Sequence, residues 1–152
     1  MKKKTSAPQI VNRRARFDYE LGDELVVGLS LTGPEVRAAR LGHVQLRGAY
    51  VTAREGELWL NNASFSVVNN QKGATSTRTV DDRTRKLLAK KREIERFEAA
   101  KKQGMTIVPT KLLTAGRYIK LVIALGKGKK NYDKRQAIKK RDEARDTRRA
   151  VR

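Results

Sequence analysis

No cysteine occurs among the 152 residues, and histidine and tryptophan occur once each. Without thiols the chain has no disulfide, no thiolate metal ligand and no cysteine nucleophile, a composition that suits a reducing cytoplasm. The single histidine, His43, has no second imidazole to join it, so no metal site is expected. Placed just after a short helix, it reads as a surface residue rather than a general base. Long apolar runs are also missing. The longest useful one, Leu121 to Leu125, has strand length, far short of the ~20 residues a membrane helix needs, so no membrane partner is expected. Residues 1–16 are charged and lack the apolar stretch of a secretory signal. Acidic residues are scarce: 16 Asp+Glu stand against 36 Lys+Arg.

Catalytic patterns are absent as well. Ser30, Ser64 and Ser66 lack a nucleophile-elbow context. Asp81-Asp82 falls at an expected helix start, where negative charge is favourable in any case. Gly126-Lys127-Gly128-Lys129-Lys130 has neither the spacing nor the terminal Ser/Thr of a phosphate-binding Walker loop, and reads instead as a basic connector. The chain is therefore expected not to be an enzyme and to need no cofactor.

What the chain does have is positive charge, a formal +20 with a pI of about 10.8. Such a protein is drawn to polyanions, and release of counterions from phosphates supplies affinity independent of sequence. Nucleic acid is the expected partner. The charge divides into +8 over residues 126–152 and +12 over the rest. Hydrophobic residues make up 38%, enough for one modest core.

Residues 1–11 read as a flexible basic arm. Ala15, Phe17, Tyr19 and Leu21 alternate like a half-buried strand, interrupted by a bulge or bend at Gly22-Asp23 and resumed by Leu25, Val27, Leu29 and Leu31. Thr32-Gly33-Pro34 starts a short helix that Gly42 ends, with Val36, Ala39 and Leu41 toward a core. Residues 44–53 and 57–65 form a hairpin around Glu55-Gly56, with Trp59 in the core. Residues 66–80 are rich in Ser, Thr, Asn, Gln and Gly and suggest a long mobile loop. A helix is expected from Arg83 to Lys102, capped by Asp81 or Asp82 and stopped by Gly104. A second hairpin covers 106–113 and 117–125, with Pro109 marking an edge or irregularity. The expected fold is mainly β: an antiparallel barrel of the oligonucleotide-binding type with a short and a long helix. This RNA-binding domain would span residues 12–125, followed by a basic tail over 126–152.

Several segments carry a family resemblance. Asn12-Arg13-Arg14-Ala15-Arg16-Phe17-Asp18-Tyr19, Leu31-Thr32-Gly33-Pro34-Glu35-Val36-Arg37, Glu57-Leu58-Trp59-Leu60-Asn61-Asn62 and Arg83-Thr84-Arg85-Lys86-Leu87-Leu88 follow one another. Gly126 to Arg135 and Ile138-Lys139-Lys140-Arg141-Asp142 complete the series. Together they resemble the small protein B (SsrA-binding protein) family, the bacterial partner of transfer-messenger RNA in ribosome rescue. The chain departs from the family pattern at Val26, where Glu is usual, at Ala89, where a third Leu is usual, and at Phe17, where His is usual.

The resemblance implies an oligonucleotide-binding-type barrel that holds the tRNA-like part of transfer-messenger RNA. It also implies a tail that enters the empty messenger channel of a stalled small ribosomal subunit, near the decoding region. RNA contacts are expected from Asn12, Arg13, Arg16, Arg37, Arg40, Arg85, Lys86 and Lys120, with Lys127, Lys129 and Lys130 at the tail root, and from Phe17 by stacking. The ribosome-facing tail residues are Tyr132, Asp133, Lys134, Arg135, Ile138, Lys139, Arg141 and Arg145. With so few apolar groups, the tail is expected to be disordered when free and helical on the ribosome. The protein is expected to be a monomer in a 1:1 RNA complex. A rival reading is a general ribosomal or single-strand RNA-binding barrel.

Overall fold

A computed structural model describes residues 9–69 and 77–151. In chain order its elements are β1 (Ile10–Val11), α1 (Arg13–Asp18), β2 (Tyr19–Leu29), α2 (Gly33–Arg40), β3 (Val44–Gln45), β4 (Tyr50–Arg54) and β5 (Glu57–Asn61). They continue with β6 (Ser64–Asn69), β7 (Thr77–Asp81), β8 (Arg85–Leu88), α3 (Lys91–Lys102), β9 (Thr106–Leu113), β10 (Lys120–Gly128) and α4 (Asn131–Ala150).

The strands form an antiparallel ring. The order is β1-β9-β10-β2-β8-β5-β4, and β4 meets β9 again through Val51 and Ile107, closing the barrel. A second sheet, β3-β6-β7, stands beside it. Inward residues alternate along β5 and β8, as a half-buried sheet requires, while β9 and β10 are buried on both faces. Val27 and Leu29 of β2, Leu58 and Leu60 of β5, Leu87 of β8 and Leu121, Ile123 and Leu125 of β10 share one core. Ile94, Phe97 and Ala100, spaced three apart on α3, add its buried face to the same core. The mainly β barrel expected from the pattern is the fold observed.

Local signals hold where they rest on backbone chemistry. Glu55 and Gly56 both have positive φ, +52° and +73°, and close the β4–β5 hairpin with the twist such turns need. Gly42 (φ +82°) and Gly104 (φ +89°) follow α2 and α3. The Thr32 N–H donates to the Glu35 carboxylate at 3.2 Å at the start of α2. Gly22-Asp23 is a bulge: Ala124 pairs with Glu24 but Gly126 pairs with Leu21, so β2 carries one extra residue. Pro109 marks a second one, where Val122 pairs with Lys111 and Ile123 with Pro109.

Other expectations are corrected. Residues 13–18 are helix, not strand; the i,i+4 pair Arg14–Asp18 at 3.2 Å suits a helix, and the alternation over Ala15 and Phe17 is too short to oppose it. The expected strands 44–53 and 57–65 each split, at Gly48 (φ +77°) and at Asn62 (φ +61°). Much of the expected 66–80 loop is the β6–β7 hairpin, in which Phe65 and Val67 are buried; residues 70–76 lie outside the described residues. The long helix begins only at Lys91. Residues 85–88 form strand β8 instead, because Leu58 and Leu60 of β5 and Gly28 and Leu29 of β2 need a partner between them. Leu41 is exposed rather than in the core. Trp59 stands on the outer face, since its neighbours Leu58 and Leu60 take the inner one. Of the arm, residues 1–8 lie outside the described residues, while Ile10 and Val11 pair with β9. The first tail residues, 126–128, continue β10.

Candidate nucleic-acid interface

The surface is organised by a buried charge cluster. Glu35, 1% exposed, accepts both nitrogens of a bidentate Arg83 fork (2.8 and 2.9 Å) and a third bond from Arg85 at 3.2 Å. Burial pushes the Glu35 carboxyl up, but the bonds from Arg83, then Arg85 and the Thr32 N–H, outweigh it and hold the group below the ordinary carboxylate range. The Glu35 hydrogen bond in turn raises the Arg83 guanidinium above its usual value. Arg85 is fully buried, stacks over Phe65 with its guanidinium carbon 4.0 Å from the ring centroid, and donates to the carbonyls of Ala63, Arg83 and Asp81. The expectation that Arg85 touches RNA is therefore corrected: the side chain is fully buried and both terminal nitrogens of its fork are spent on protein, leaving only Nε without a partner.

Asn12 is largely buried too, though its side-chain Oδ1 has no partner among the described residues. It is 5% exposed, its side-chain NH2 donates to the Pro109 carbonyl at 2.9 Å and its backbone N–H to the Thr110 carbonyl at 2.7 Å. It pins the start of α1 to the bulge of β9. Arg40 is turned to protein at one end, donating to the carbonyls of Thr114 (3.2 Å) and Arg117 (3.0 Å). Lys86 is half-buried and paired with Glu57 at 2.7 Å. His43 is half-buried, its backbone bonded to Ala38 and Ser66.

Arg13, Arg16, Arg37 and Lys120 are exposed, and Phe17 is half-buried beneath Arg14, 5.0 Å from its ring. Lys120 belongs to a larger feature. It pairs with Gly28 of β2, and Gly28 pairs with Leu88 of β8, so the three lie in one row across three strands. Gly28 lets the strands meet closely there, since a Cβ would come within 3.1 Å of the Leu88 Cβ. Around this row lies a groove of about 370 Å³, lined also by Val36, Arg117 and Tyr118. Leu88 is 55% exposed, Val26 52% and Tyr118 69%, and the Arg117 guanidinium lies 5.5 Å from the Tyr118 ring. An apolar floor, an open aromatic ring and two cations are the equipment for holding an unstacked base and its phosphate. Sequence reasoning missed Leu88, Arg117 and Tyr118. Leu88 was hidden by the helical reading of residues 83–102; in a strand, the buried Arg85 and Leu87 put Leu88 outside.

A second basic surface begins where β10 ends. Lys127 is exposed and pairs in the ladder with Glu20. Lys129 donates from its backbone to the Asp18 carbonyl (2.9 Å) and from Nζ to the Arg16 carbonyl (3.0 Å). Lys130 is exposed and precedes α4. In α4, Lys134 Nζ lies 3.4 Å from Asp18, while Arg135, Lys139, Arg141 and Arg145 face solvent, as do Tyr132 (63%) and Ile138 (39%). Asp133 falls in the first turn of this helix. Lys120 and Gly128 are the two ends of the nine-residue β10, eight steps apart, so the two basic surfaces stand roughly 26 Å apart along the strand.

Comparison with known proteins adds the following. The signature of a family described as SmpB protein matches residues 9–152. The SsrA-binding protein of Oenococcus oeni is 43% identical over 132 residues, covering 86% of this chain and 83% of its own. That of Gloeobacter violaceus is 41% identical over 150 residues, covering 98% and 97%. A solved chain from the structural study "tmRNA-SmpB: a journey to the center of the bacterial ribosome" superposes with a TM-score of 0.63 at 36% identity, covering 87% of this chain and 95% of that one. No helix among the described residues is long and apolar enough to cross a membrane.

Proposed function

Since the chain belongs to the SmpB protein family, we propose that it binds transfer-messenger RNA and brings it to stalled ribosomes, where unfinished proteins are tagged and the ribosome is released. The observation that carries this reading is the family match along residues 9–152, over both basic surfaces. The barrel groove at Lys120, Gly28 and Leu88 takes the tRNA-like part of the RNA, using shape, stacking and phosphate contacts. Arg13, Arg16, Arg37 and Lys127 add cations around the barrel.

The tail acts at the other end. α4 offers the barrel almost no apolar face; its residues are exposed nearly throughout, and an isolated helix of this length is marginal in water. Its order is therefore supplied by the phosphates of an empty messenger channel, which neutralise its charge. Tyr132 stacks near the decoding region while Lys134, Arg135, Lys139, Arg141 and Arg145 follow the channel wall. The protein acts in the cytoplasm by binding alone, as a monomer with one RNA, and makes or breaks no covalent bond.

Deleting residues 131–152 separates the two surfaces. Binding to transfer-messenger RNA is expected to stay within a few-fold of the full chain, while tagging on stalled ribosomes is lost. Collapse of RNA binding would overturn the division of labour, and surviving tagging would remove the tail from the sensing role. Competition by transfer RNA tests the partner itself: equal competition would favour a general RNA-binding barrel.

A further inference from the structure

Trp59 is the only tryptophan in the chain, and the barrel does not use it as core. Leu58 and Leu60, both fully buried, fill the interior on either side of it, so its indole lies on the outer face of β5. There it pairs with Lys86 of β8 and with Thr52 of β4. The Lys86–Glu57 ion pair at 2.7 Å holds the Lys86 ammonium beside it. Tyr50, 46% exposed, lies on the same face of β4 one diagonal step away, within reach of a large side chain. No helix among the described residues makes more than marginal contact with β5. Trp59 is half-buried among these cross-strand neighbours, which leaves part of the indole open on the outer face of a chain of charge +20.

We propose that the outer face of β4, β5 and β8, centred on Trp59, is a stacking platform for an unpaired nucleotide of transfer-messenger RNA, continuous with the groove at Leu88 and Lys120. The proposal rests on the function proposed above. Barrels of this type take oligonucleotides across an open strand face. Aromatic rings there accept a base whatever its identity, and neighbouring cations hold the phosphate. Here the exposed Arg54 at the end of β4 and Lys120 across the sheet supply the cations, and Lys86, already fixed by Glu57, forms the wall beside the indole. Leu88 and Lys86 both point outward from β8, so the groove and the platform share one strand.

Because Trp59 is the sole tryptophan, the unmodified full chain reports on its own platform. Titration with transfer-messenger RNA is expected to quench the tryptophan emission in step with complex formation measured by mobility shift, and to protect the indole from acrylamide. Trp59→Leu is expected to weaken the complex roughly 5- to 100-fold, while Trp59→Phe, which keeps a ring, loses much less. Thermal melts of both variants check that the barrel is intact. If the RNA binds while emission and acrylamide access stay unchanged, the platform is wrong and the function proposed above stands. If the RNA does not bind the unmodified chain at all, that function fails and the platform with it.

Discussion

Glu35 is a buried carboxylate held by two arginines, and its charge has consequences for stability. Three bonds from two arginines hold its carboxyl below the ordinary value of 4.5. A group whose pKa is lowered by folding stabilises the native state above the unfolded pKa, and that contribution is lost as the pH falls through the folded value. Urea unfolding from pH 7 down to pH 3 should therefore show stability falling below about pH 4.5. Glu35→Gln should flatten that acid limb. At neutral pH it should also cost on the order of 3 kcal/mol, because the fully buried Arg85 loses its counter-charge. An unchanged acid limb in Glu35→Gln would show that other carboxylates govern it. The same cluster shows what a sequence conceals. Arg85 looks like any other arginine in a basic segment, and nothing within four residues of it announces burial. Its partners, Glu35 and Phe65, come from distant parts of the chain.

Among the elements, α4 is attached most lightly. It meets the body chiefly at α1, where Asp18 accepts Lys134 at 3.4 Å and Arg14 at 3.2 Å, with Lys129 bonded to the same turn. A partly exposed ion pair of this kind contributes about 0.2–1 kcal/mol. Asp18→Asn is therefore expected to broaden the direction of α4 relative to the barrel without disturbing the barrel. Spin labels on α4 and α2 would report a wider distance distribution, and raising the salt should widen that of the unmodified protein in the same sense. An unchanged distribution would assign the orientation to Lys129 and the β10 end instead. What was legible in the sequence is a run of helix formers without a core face. β8 was not. Arg83-Thr84-Arg85-Lys86-Leu87-Leu88 carries no helix breaker, and only the empty place between β2 and β5 turns it into a strand. The Ser/Thr-rich β6–β7 hairpin was missed for a related reason: its polar composition resembles a loop, and its strand state depends on pairing across the sheet.

Taken together, the charge sets how the protein meets RNA. With +20 overall and cations at both ends of β10, phosphate contacts should dominate affinity. A protein that neutralises six to ten phosphates loses about 10³- to 10⁵-fold in affinity between 50 and 200 mM salt. Filter binding over that range should give a steep linear dependence of log affinity on log salt for transfer-messenger RNA. A slope near one would mean that the barrel reads shape and bases with little help from phosphates. Removing α4 should leave most of this slope in place, because the groove at Lys120 lies some 26 Å from the tail root along β10 and the remaining barrel cations are retained.

The amino-acid sequence by itself determined the polyanion partner, the lack of thiol chemistry, the two glycine-stopped helix ends, the β4–β5 turn and the bulges at Gly22-Asp23 and Pro109. Each of these depends on net charge or on the backbone preferences of a few adjacent residues. Tertiary structure alone decided that residues 85–88 are a strand, that Arg85 is a buried anchor rather than an RNA contact, and that Leu88, Tyr118 and Trp59 face outward. Those outcomes depend on which strands lie side by side, and strand pairing joins residues too far apart in the chain for local pattern to reveal.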